Sequence, residues 1–503
     1  MNLDPLTVLK VCALAYFLVC IYKFLIRPYL RFQFYKRQRG FGEFTVGMNF
    51  ILKRFEDAKK YGDMWHTDKV ALNKYPKTKF FLYNWGTQPI LFLTDPAFIK
   101  EFSTKTENYE KHESTIGLVD EIARGSFIFE EGQRWKRSRK LFSGSFHFEN
   151  LRDIIPTVVE ISKEKYENLI KEKKLSKVDL LDLAGLITGE VTGRFFFGRK
   201  FSETYFEGKP LTSAAVHMTA EIASISFSPL VTILGLNFAR KGILPSHKQA
   251  MNRVRSLKEL LRKMIDEERK STFSEKNVLH SLLELQKTEK AYTDDDIIGE
   301  FAGMFVAGTD TTAHAISLAT YYLWKHPEKY ERVKEEVDRE FKDVTKIDLE
   351  CLNRMEYTTA VLRETLRLGG PAGFLFNRIA IKDHNLLDLK IKKGTLVTGA
   401  INLVHFNEMY YSNPFEFIPE RYLPDGPFPN DGWKQEPFSQ LAFSAGPRNC
   451  IGQYLAMIEG KIVLGMLVKM FKWEYPKDYK LKMILKFMYE PADLLESDLI
   501  PRN

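Results

Sequence analysis

The stretch of sequence that decides the fold is Phe443-Ser-Ala-Gly446-Pro-Arg448-Asn-Cys450-Ile-Gly452, in which a lone cysteine stands just before a predicted helix. A helix start offers free backbone N–H groups and a positive dipole end, which lower the pKa of a thiol and favour the thiolate. Gly446 and Gly452 would let the backbone pass close to a flat ligand. Cys450 is therefore a candidate nucleophile, redox sensor or metal ligand, and a buried inert cysteine is the ordinary alternative.

The composition is that of a large folded protein. Of the 503 residues, 44% are hydrophobic and 28% are charged, which excludes a disordered or fibrous chain. The sequence has no flexible linker, repeat or low-complexity tract, so one large, mostly α-helical domain with a small β region is the simplest interpretation. Helical periodicity dominates from about Leu151 to Leu368, and β-like runs lie between Lys79 and Phe92.

The net charge of +9 is compatible with an acidic partner, an anionic membrane or nucleic acid. Nucleic-acid binding is excluded because the sequence has neither a recognised binding motif nor a dense basic stripe. The cysteines are Cys12, Cys20, Cys351 and Cys450, and their spacing fits neither a zinc site nor a disulfide framework. The main part of the chain is therefore expected in the reducing cytosol.

The N-terminus predicts a membrane anchor. Leu6 to Ile26 is almost wholly apolar and has about the length that a helix needs to cross the hydrocarbon core. A basic flank follows it where a signal peptide would have a cleavage site, and by the positive-inside rule this flank stays cytosolic. We expect residues 1–40 to be a single-pass transmembrane anchor with its flank, and residues 41–503 to be a cytosolic domain.

A second apolar stretch precedes the amphipathic helix predicted over Ser246 to Lys270. It is predicted as a loop and contains Phe227, Pro229, Leu230, Val231, Ile233 and Leu236. A soluble protein rarely exposes such a patch, so the loop is either part of the core or a second membrane contact.

Three further motifs combine polar residues with helical spacing. In Ala307-Gly308-Thr309-Asp310-Thr311-Thr312, glycine and a polar run interrupt an apolar helix, which a kinked or widened helix beside a ligand would explain. Glu364 and Arg367 are three apart and can pair, and Trp135 and Arg139 share a helix face. A basic face lies beside this last pair and consists of Arg134, Lys136, Arg137 and Lys140.

The cysteine stretch closely resembles the haem-binding loop of the cytochrome P450 family, and the three other motifs resemble P450 motifs in the family's order. The resemblance implies that Cys450 is the iron ligand, that Arg448 binds a haem propionate and that Phe443 shields the sulfur. Thiolate ligation pushes electron density onto iron and favours O–O cleavage. Gly446 and Gly452 would belong to the same haem-binding loop.

The resemblance also assigns roles outside the loop. Asp310 and Thr311 would deliver protons to iron-bound dioxygen, while Ala307 and Gly308 would face the haem. The resemblance also implies a structural triad, in which Glu364, Arg367 and Arg421 would be buried together. It further implies that the haem propionates are bound by Trp135, Arg139 and Arg378.

The function that the resemblance implies is a haem b-dependent monooxygenase. It would insert one oxygen atom from O2 into an apolar substrate such as a fatty acid, a sterol or a lipophilic xenobiotic. NADPH would supply electrons through a separate cytochrome P450 reductase, with cytochrome b5 as a further candidate partner, because the sequence has no nucleotide or flavin motif. The basic face would receive this acidic donor. The expected location is the endoplasmic reticulum membrane.

Two alternatives stay open. A haem-thiolate isomerase or lyase would rearrange lipid hydroperoxides without O2 or a reductase, but such enzymes often lose the acid–alcohol pair that this chain keeps in Asp310 and Thr311. A haem-binding sensor or carrier would show thiolate ligation in a carbon monoxide spectrum without any turnover.

The expected substrate pocket is rich in Phe, Ile and Leu, and its walls are Ser114–Phe129, His217–Phe238, Phe301–Thr311, Pro371–Phe376 and Phe487–Tyr489. Such walls do not choose between apolar substrates, since one methylene is worth only roughly 1–3 kcal/mol. Two departures from the family pattern stand out. Phe41 to Met48 lacks the usual Pro-rich hinge, and the Gly369-Gly370 pair is unusual at its place.

Overall fold

The structure is a computed structural model that describes residues 5–42, 50–85, 88–112, 117–226, 228–270, 277–288, 292–485 and 488–502. Parts of three predicted pocket walls, namely residues 114–116, Phe227 and Phe487, lie outside these ranges. The described helices are α1 Pro5–Ile21, α2 Arg27–Lys36, α3 Phe50–Tyr61, α4 His66–Lys74, α5 Pro96–Thr104, α6 Asp120–Ala123, α7 Gly132–Ser145, α8 Ile155–Lys171, α9 Leu180–Phe197, α10 Leu211–Ser226, α11 Pro229–Leu234, α12 Leu236–Arg240, α13 Pro245–Lys270, α14 Val278–Thr288, α15 Asp294–Lys325, α16 Pro327–Glu340, α17 Leu349–Arg354, α18 Glu356–Gly369, α19 Ile401–Val404, α20 Gly432–Gln435 and α21 Gln453–Met470.

The described strands are short and few residues belong to them, so the prediction of a mostly helical fold with a small β region is confirmed. They are β1 Phe80–Trp85, β2 Gln88–Leu93, β3 Tyr109–Lys111, β4 Val178–Asp179, β5 Tyr205–Phe206, β6 Lys209–Pro210, β7 Arg378–Ala380, β8 His384–Leu386, β9 Leu389–Ile391, β10 Leu396–Gly399, β11 Phe471–Glu474, β12 Met483–Leu485, β13 Tyr489–Pro491 and β14 Glu496–Pro501. The largest sheet has the order β1-β2-β10-β7-β3. It pairs β2 with β10 in parallel and its other neighbours antiparallel.

The helix α15 runs through the middle of the helical core and has 32 residues. It begins with a capping box, in which the Thr293 side chain accepts the N–H of Asp296 and the Asp296 side chain accepts the N–H of Thr293. Most of its side chains are buried, and it packs against α6, α9, α18 and α21. The helix therefore touches both the elements that precede the Cys450 loop in the chain and α21, which follows that loop.

The predicted spanning helix over Leu6 to Ile26 is not found. The helix α1 has 17 residues and gives way to a π-helical turn over Tyr22–Ile26 before α2 begins. Within the ranges described above, no helix has both the length and the apolar character needed to cross a membrane.

The helix α2 is attached to the β region. Arg31 Nη1 donates to Thr395 Oγ1 at 3.1 Å, and Arg31 Nη2 donates to the Lys393 carbonyl at 2.6 Å. The Tyr35 hydroxyl lies 2.9 Å from Thr395 Oγ1, and Gln38 Nε2 donates to the Lys390 carbonyl at 3.1 Å. These bonds orient α2 on the β region. The segment Phe41 to Met48, in which the sequence lacks a Pro-rich hinge, falls mostly in residues 43–49, which lie outside the described residues.

The apolar segment before α13 is not a loop, contrary to the prediction. It forms α11 and α12, because Ser228 caps α11 by accepting the N–H of Val231 and Gly235 breaks the helix at φ +86°. Val231 is buried, whereas Leu230 and Leu234 are 41% and 50% exposed. Side chains of this segment therefore lie both in the hydrophobic core and on the protein surface.

A buried ion cluster joins α18 to the long loop region before Cys450. Glu364 binds Arg367 at 2.8 Å and Arg421 at 3.1 Å, and all three side chains have 0% exposure. Arg421 also binds Asp431 at 3.1 Å, and Glu364 accepts the N–H of Ile418 at 3.0 Å. The predicted triad is therefore present and gains Asp431 as a fourth member.

We predict that Glu364→Gln destabilises the protein by about 3–5 kcal/mol, because it leaves the buried charges of Arg367 and Arg421 poorly compensated. Urea unfolding followed by circular dichroism measures the change. As a control, Glu172→Gln removes an exposed carboxylate that pairs with Lys174 and should leave the urea midpoint unchanged. An unchanged midpoint for Glu364→Gln would contradict the structural role of the triad.

Candidate active site around Cys450

The Cys450 loop presents its thiol at the beginning of α21. The Cys450 N–H donates to the Phe443 carbonyl at 2.8 Å, which closes the loop, and Gly452 is the N-cap residue of α21. Cys450 has exposed surface, although many protein atoms lie around its thiol. Phe443 contributes its carbonyl here, and shielding of the sulfur by its ring stays a prediction.

The pKa of the Cys450 thiol is raised, which is opposite to the expectation from the helix start alone. Enclosure by protein atoms raises this pKa most, while the Gly452 N–H and the positive charge of Arg139 lower it by less. The helix start therefore favours the thiolate as expected, but burial has the larger effect.

The two glycines of the loop have different reasons to be glycine. Gly446 has φ +73°, and a Cβ there would lie 2.8 Å from the Ser103 carbonyl at the end of α5. Gly446 is therefore required by the close approach of α5 and by its backbone conformation. At Gly452, a Cβ would meet Phe146 at 3.9 Å and Cys450 Sγ at 4.0 Å, which are ordinary contacts.

His405 connects the buried triad to the Cys450 loop. Its carbonyl accepts a hydrogen bond from Arg367 Nη1 at 2.7 Å, and its Nε2 accepts the Leu441 N–H at 3.1 Å. Burial, together with the nearby positive charge of Arg367, lowers the pKa of His405 to about 3. The ring is therefore neutral and able to accept, and Leu441 is held two residues before the loop begins.

The pair Trp135 and Arg139 lies on α7 beside the same loop, as predicted from its spacing. Arg139 donates to the Asn449 carbonyl at 2.8 Å and to Asn449 Oδ1 at 2.6 Å. The Arg448 guanidinium stacks on the Trp135 ring with its carbon 3.8 Å from the ring centroid. Both arginines are therefore oriented by α7 and the loop together.

A group of four cations lies at this place: Arg448, Arg378 and Lys111 interact with the Glu131 carboxylate, and Arg139 interacts with Arg448. Arg448 forms an ion pair with Glu131 and also donates to the Glu130 carbonyl at 2.8 Å. Arg378 and Lys111 are paired residues of β7 and β3. Arg378 and Lys111 interact electrostatically with Arg448 and Glu131.

Burial disfavours the charged form of every cation in this cluster and so lowers its pKa. It lowers the pKa of Lys111 to about 7 and that of Arg448 to about 10, and it lowers the pKa values of Arg139 and Arg378 as well. The carboxylates of Glu131 and Glu130 both act on this group, and four partly buried cations beside two carboxylates leave a surplus of positive charge. The group is suited to a ligand that brings negative charges.

Lys111 was missed in the sequence analysis. It is 267 residues from Arg378 in the chain and belongs to no motif, so only strand pairing brings the two together. Its Nζ donates to the Ile128 carbonyl and lies 5.6 Å from the centroid of the Phe376 ring.

The polar run of α15 is accommodated without a break in the helix. All residues from Asp294 to Lys325 are α-helical, so the helix is not widened into a π-helical turn at the polar run. Extra hydrogen bonds take its place: Thr311 Oγ1 donates to the Ala307 carbonyl at 2.5 Å, and Thr188 of α9 donates to the Thr309 carbonyl at 3.0 Å.

Ala307 and Gly308 leave room on this helix. Ala307 is exposed, although its neighbours Met304 and Phe305 are buried. A Cβ at Gly308 would lie 3.1 Å from Thr192 Oγ1, so a larger residue would push against α9. Glycine therefore allows α15 and α9 to pack closely beside the accessible Ala307.

Asp310 has an unusual carboxyl group. The pKa of Asp310 is raised to about 7. Burial is the larger cause, and the negative charge of Glu490 is the smaller one. A carboxyl with such a pKa can hold and release a proton near neutral pH.

The basic face of α7 is smaller than predicted. Arg134 forms ion pairs with Asp296 and, at 3.8 Å, with Glu130, so its charge serves the contact between α7 and α15. Lys136, Arg137 and Lys140 are exposed.

Comparison with known proteins relates nearly the whole chain to one family. The family model described as Cytochrome P450 matches residues 51–495. The cytochrome P450 named CYP13A5 of Caenorhabditis elegans is 28% identical over 482 residues, covering 87% of this chain and 88% of the relative. Cytochrome P450 3A12 of Canis lupus familiaris is 26% identical over 457 residues, with 87% of each covered. The 11-oxo-beta-amyrin 30-oxidase of Glycyrrhiza uralensis is 28% identical over 423 residues, covering 81% and 78%.

Haem b is the cofactor of this family, and the residues of the site fit it. Haem b carries two carboxylates, which match the surplus of buried positive charge formed by Arg139, Arg448, Arg378 and Lys111. Cys450 carries a thiol with exposed surface nearby, which is the kind of group that can become the thiolate ligand of a haem iron. The match over residues 51–495 and the architecture of the site lead to the same conclusion: the chain belongs to the cytochrome P450 family of haem-dependent monooxygenases.

Proposed function

We propose that this monooxygenase inserts one oxygen atom into an apolar substrate such as a fatty acid, a sterol or a lipophilic xenobiotic. The observation that carries the proposal is the apolar character of the described parts of the expected pocket walls. These contain Leu118, Val119, Ile122, Phe127, Phe301, Met304, Phe305, Phe374, Leu375 and Phe376. Apolar walls favour burial of an apolar ligand. A relative named as an oxidase of 11-oxo-beta-amyrin is compatible with this class.

Cys450 would hold the haem iron, and the four cations would hold the propionates, with Trp135 supporting Arg448. When bound, haem supplies the iron centre at which dioxygen is activated. A positive iron beside Sγ would offset the burial that raises the pKa of the Cys450 thiol. Ala307 and Gly308 would leave space for the flat group beside α15.

Asp310 and Thr311 would deliver protons. The pKa of about 7 allows Asp310 to hold a proton and release it at neutral pH. The Thr311 hydroxyl donates to the Ala307 carbonyl at 2.5 Å, so its oxygen can accept a proton from a neighbouring acid.

Electrons would come from NADPH through a separate cytochrome P450 reductase, with cytochrome b5 as a second partner. The exposed cations Lys136, Arg137 and Lys140 of α7 support this proposal. They lie on the helix that also carries Arg139, beside the Cys450 loop. Such a face attracts an acidic protein and speeds its association.

The N-terminal residues 1–40 would attach the catalytic domain, residues 41–503, to the endoplasmic reticulum membrane. Apolar side chains of α1 are exposed, among them Val11, Leu14, Phe17 and Leu18. An exposed apolar surface of this kind is suited to a lipid environment.

For the reaction, we predict a product with one labelled oxygen atom when the protein, a microsomal reductase, NADPH and 18O2 act on a panel of fatty acids, sterols and lipophilic xenobiotics. Mass spectrometry identifies the product, and the control omits NADPH, which should abolish it. Rearrangement of added lipid hydroperoxides without NADPH, with no labelled product, would instead assign the protein to the isomerases or lyases.

For the cation cluster, we predict that Lys111→Met speeds the transfer of haem to apomyoglobin about tenfold, since a hydrogen bond to a charged group contributes about 1.5 kcal/mol or more. Lys105→Met is the matched control, because Lys105 is 58% exposed and pairs with Glu101 at the end of α5. Equal transfer rates for the two variants would argue against contact between Lys111 and a propionate.

For the membrane, we predict that the double change Leu14→Asp and Phe17→Asp lowers the fraction of protein that floats with phospholipid vesicles in a density gradient. Charges in this apolar surface oppose insertion into lipid. The control Tyr205→Asp changes another exposed hydrophobic residue, which is 63% exposed. Unchanged flotation of the double variant would contradict the proposed attachment.

A further inference from the structure

A second carboxylate lies close to Asp310 and comes from a different element. Glu490 belongs to β13 of the hairpin formed by β12 and β13, which carries the last predicted pocket wall. Its Oε2 atom is 3.9 Å from Nε2 of His314, a residue of α15 one helical turn after Asp310. The side chain of His314 is 7% exposed and that of Glu490 is 17% exposed. Glu490 is therefore the more exposed member of this pair.

The orientation of His314 follows from its hydrogen bond to the helix. Its Nδ1 atom is 2.6 Å from the carbonyl oxygen of Asp310. Because a carbonyl oxygen only accepts, Nδ1 carries the hydrogen, and Nε2 is directed toward Glu490. The imidazole is thus bonded to the backbone at Asp310 and faces the carboxyl group of Glu490 at 3.9 Å.

The hairpin that carries Glu490 is held in place on both strands. In β12, the Met483 N–H donates to the Gly62 carbonyl at 2.6 Å. In β13, the Tyr489 hydroxyl donates to Asp63 Oδ1 at 2.6 Å. Because residue 62 and residue 63 belong to one short segment, the hairpin cannot shift without breaking both bonds. Glu490 therefore has a defined position beside α15.

The charges around Asp310 single out Glu490. Within the described part of the chain, the charged group that raises the pKa of Asp310, in addition to burial, is Glu490. The residues of α9 that face this turn of α15, Thr188 and Thr192, are uncharged. His314 is the titratable group of α15 that contacts the backbone carbonyl of Asp310 and lies next to the carboxyl group of Glu490.

We propose that Glu490, oriented by His314, returns protons from solvent to Asp310 after Asp310 has released its own. The proposal rests on the proton-delivery role proposed above for Asp310. It makes Glu490 and His314 positioning residues of the proton path, since neither has to touch the haem or the substrate.

The step moves one proton and leaves the total charge unchanged. The Glu490 carboxylate first takes a proton from solvent on its exposed side. The O–H bond so formed then breaks, and an O–H bond forms on the Asp310 carboxylate, directly or through one water molecule, which returns Glu490 to its carboxylate form. His314 keeps its Nδ1–H on the Asp310 carbonyl throughout and holds Glu490 in reach through Nε2.

Infrared spectroscopy of the ferric holoenzyme tests the path without any turnover. The carboxyl band of Asp310 is assigned by its loss in Asp310→Asn, and its exchange is followed after rapid mixing with D2O. In Glu490→Gln the exchange should slow about tenfold, as expected when a positioned proton donor is lost. The midpoint of the Asp310 titration should also fall, because a neighbouring negative charge is removed.

Two further variants separate the path from a structural effect. Glu490→Asp keeps the carboxyl group and should restore much of the exchange rate. Asp493→Asn removes an exposed carboxylate just beyond β13, where Asp493 pairs with Lys482, and should behave as the unchanged protein. An exchange rate in Glu490→Gln equal to that in Asp493→Asn would overturn the proposal.

The same variants, supplied with NADPH and a microsomal reductase, give a second readout. Glu490→Gln should release more hydrogen peroxide per NADPH consumed, because proton delivery is delayed. If Asp310→Asn leaves this ratio unchanged, the proton-delivery role of Asp310 itself fails. If Asp310→Asn raises the ratio and Glu490→Gln does not, Asp310 acts without Glu490 and the proposed path is wrong.

Discussion

The position of the Cys450 thiol depends on one buried carboxylate, Glu364. It binds Arg367 and Arg421 in a region from which water is excluded, and these two guanidinium groups in turn hold the loop region through backbone carbonyls. His405 links the triad to the Cys450 loop, because its carbonyl accepts a hydrogen bond from Arg367 and its ring accepts one from the N–H of Leu441. A buried charge cluster of this kind adds little net stability but specifies one arrangement, because every alternative leaves a charge unpaired.

Burial has a different consequence at the site around Cys450, because the buried charges there are not balanced. In the triad with Asp431 the charges are balanced, whereas the four cations Arg139, Arg448, Arg378 and Lys111 have only the carboxylates of Glu131 and Glu130 near them. Burial lowers the pKa of each cation and raises the pKa of the Cys450 thiol, so both groups gain from a ligand with carboxylates at its edge and a cation at its centre. Haem b has this distribution of charge.

Burial also prepares Asp310 for its proposed role. An exposed aspartate would be fully ionised at neutral pH, but enclosure by α15 and its neighbours, with the charge of Glu490, raises the pKa of Asp310 to about 7. The carboxyl group then exchanges a proton at little cost in free energy. The same physical effect thus acts at the triad, the cation cluster and the proposed proton path, with a different outcome at each because the partner charges differ.

The sequence predicts those features that depend on local spacing. The Cys450 loop, the pairing of Glu364 with Arg367 and the shared face of Trp135 and Arg139 each follow from residues within one motif, and the helical character of the chain follows from its periodicity.

Features that depend on distant pairing could not be predicted in this way. Lys111 reaches Arg378 through strand pairing, and Glu490 reaches His314 across a hairpin, so no local pattern reveals either. The predicted apolar loop was wrong for a local reason. The cap at Ser228 and the positive φ of Gly235 depend on backbone geometry that hydropathy does not report.

The most direct test of the account is the carbon monoxide difference spectrum of the reduced protein, recorded for the unchanged chain, Cys450→Ser and Cys351→Ser. Cys351 is a buried free cysteine whose Sγ donates to the Glu340 carbonyl far from the loop in sequence. The account predicts that the spectrum of a thiolate-ligated haem is present in the unchanged chain and in Cys351→Ser, and is lost in Cys450→Ser. A thiolate spectrum that survives in Cys450→Ser would show that another residue binds the iron and would contradict the central claim.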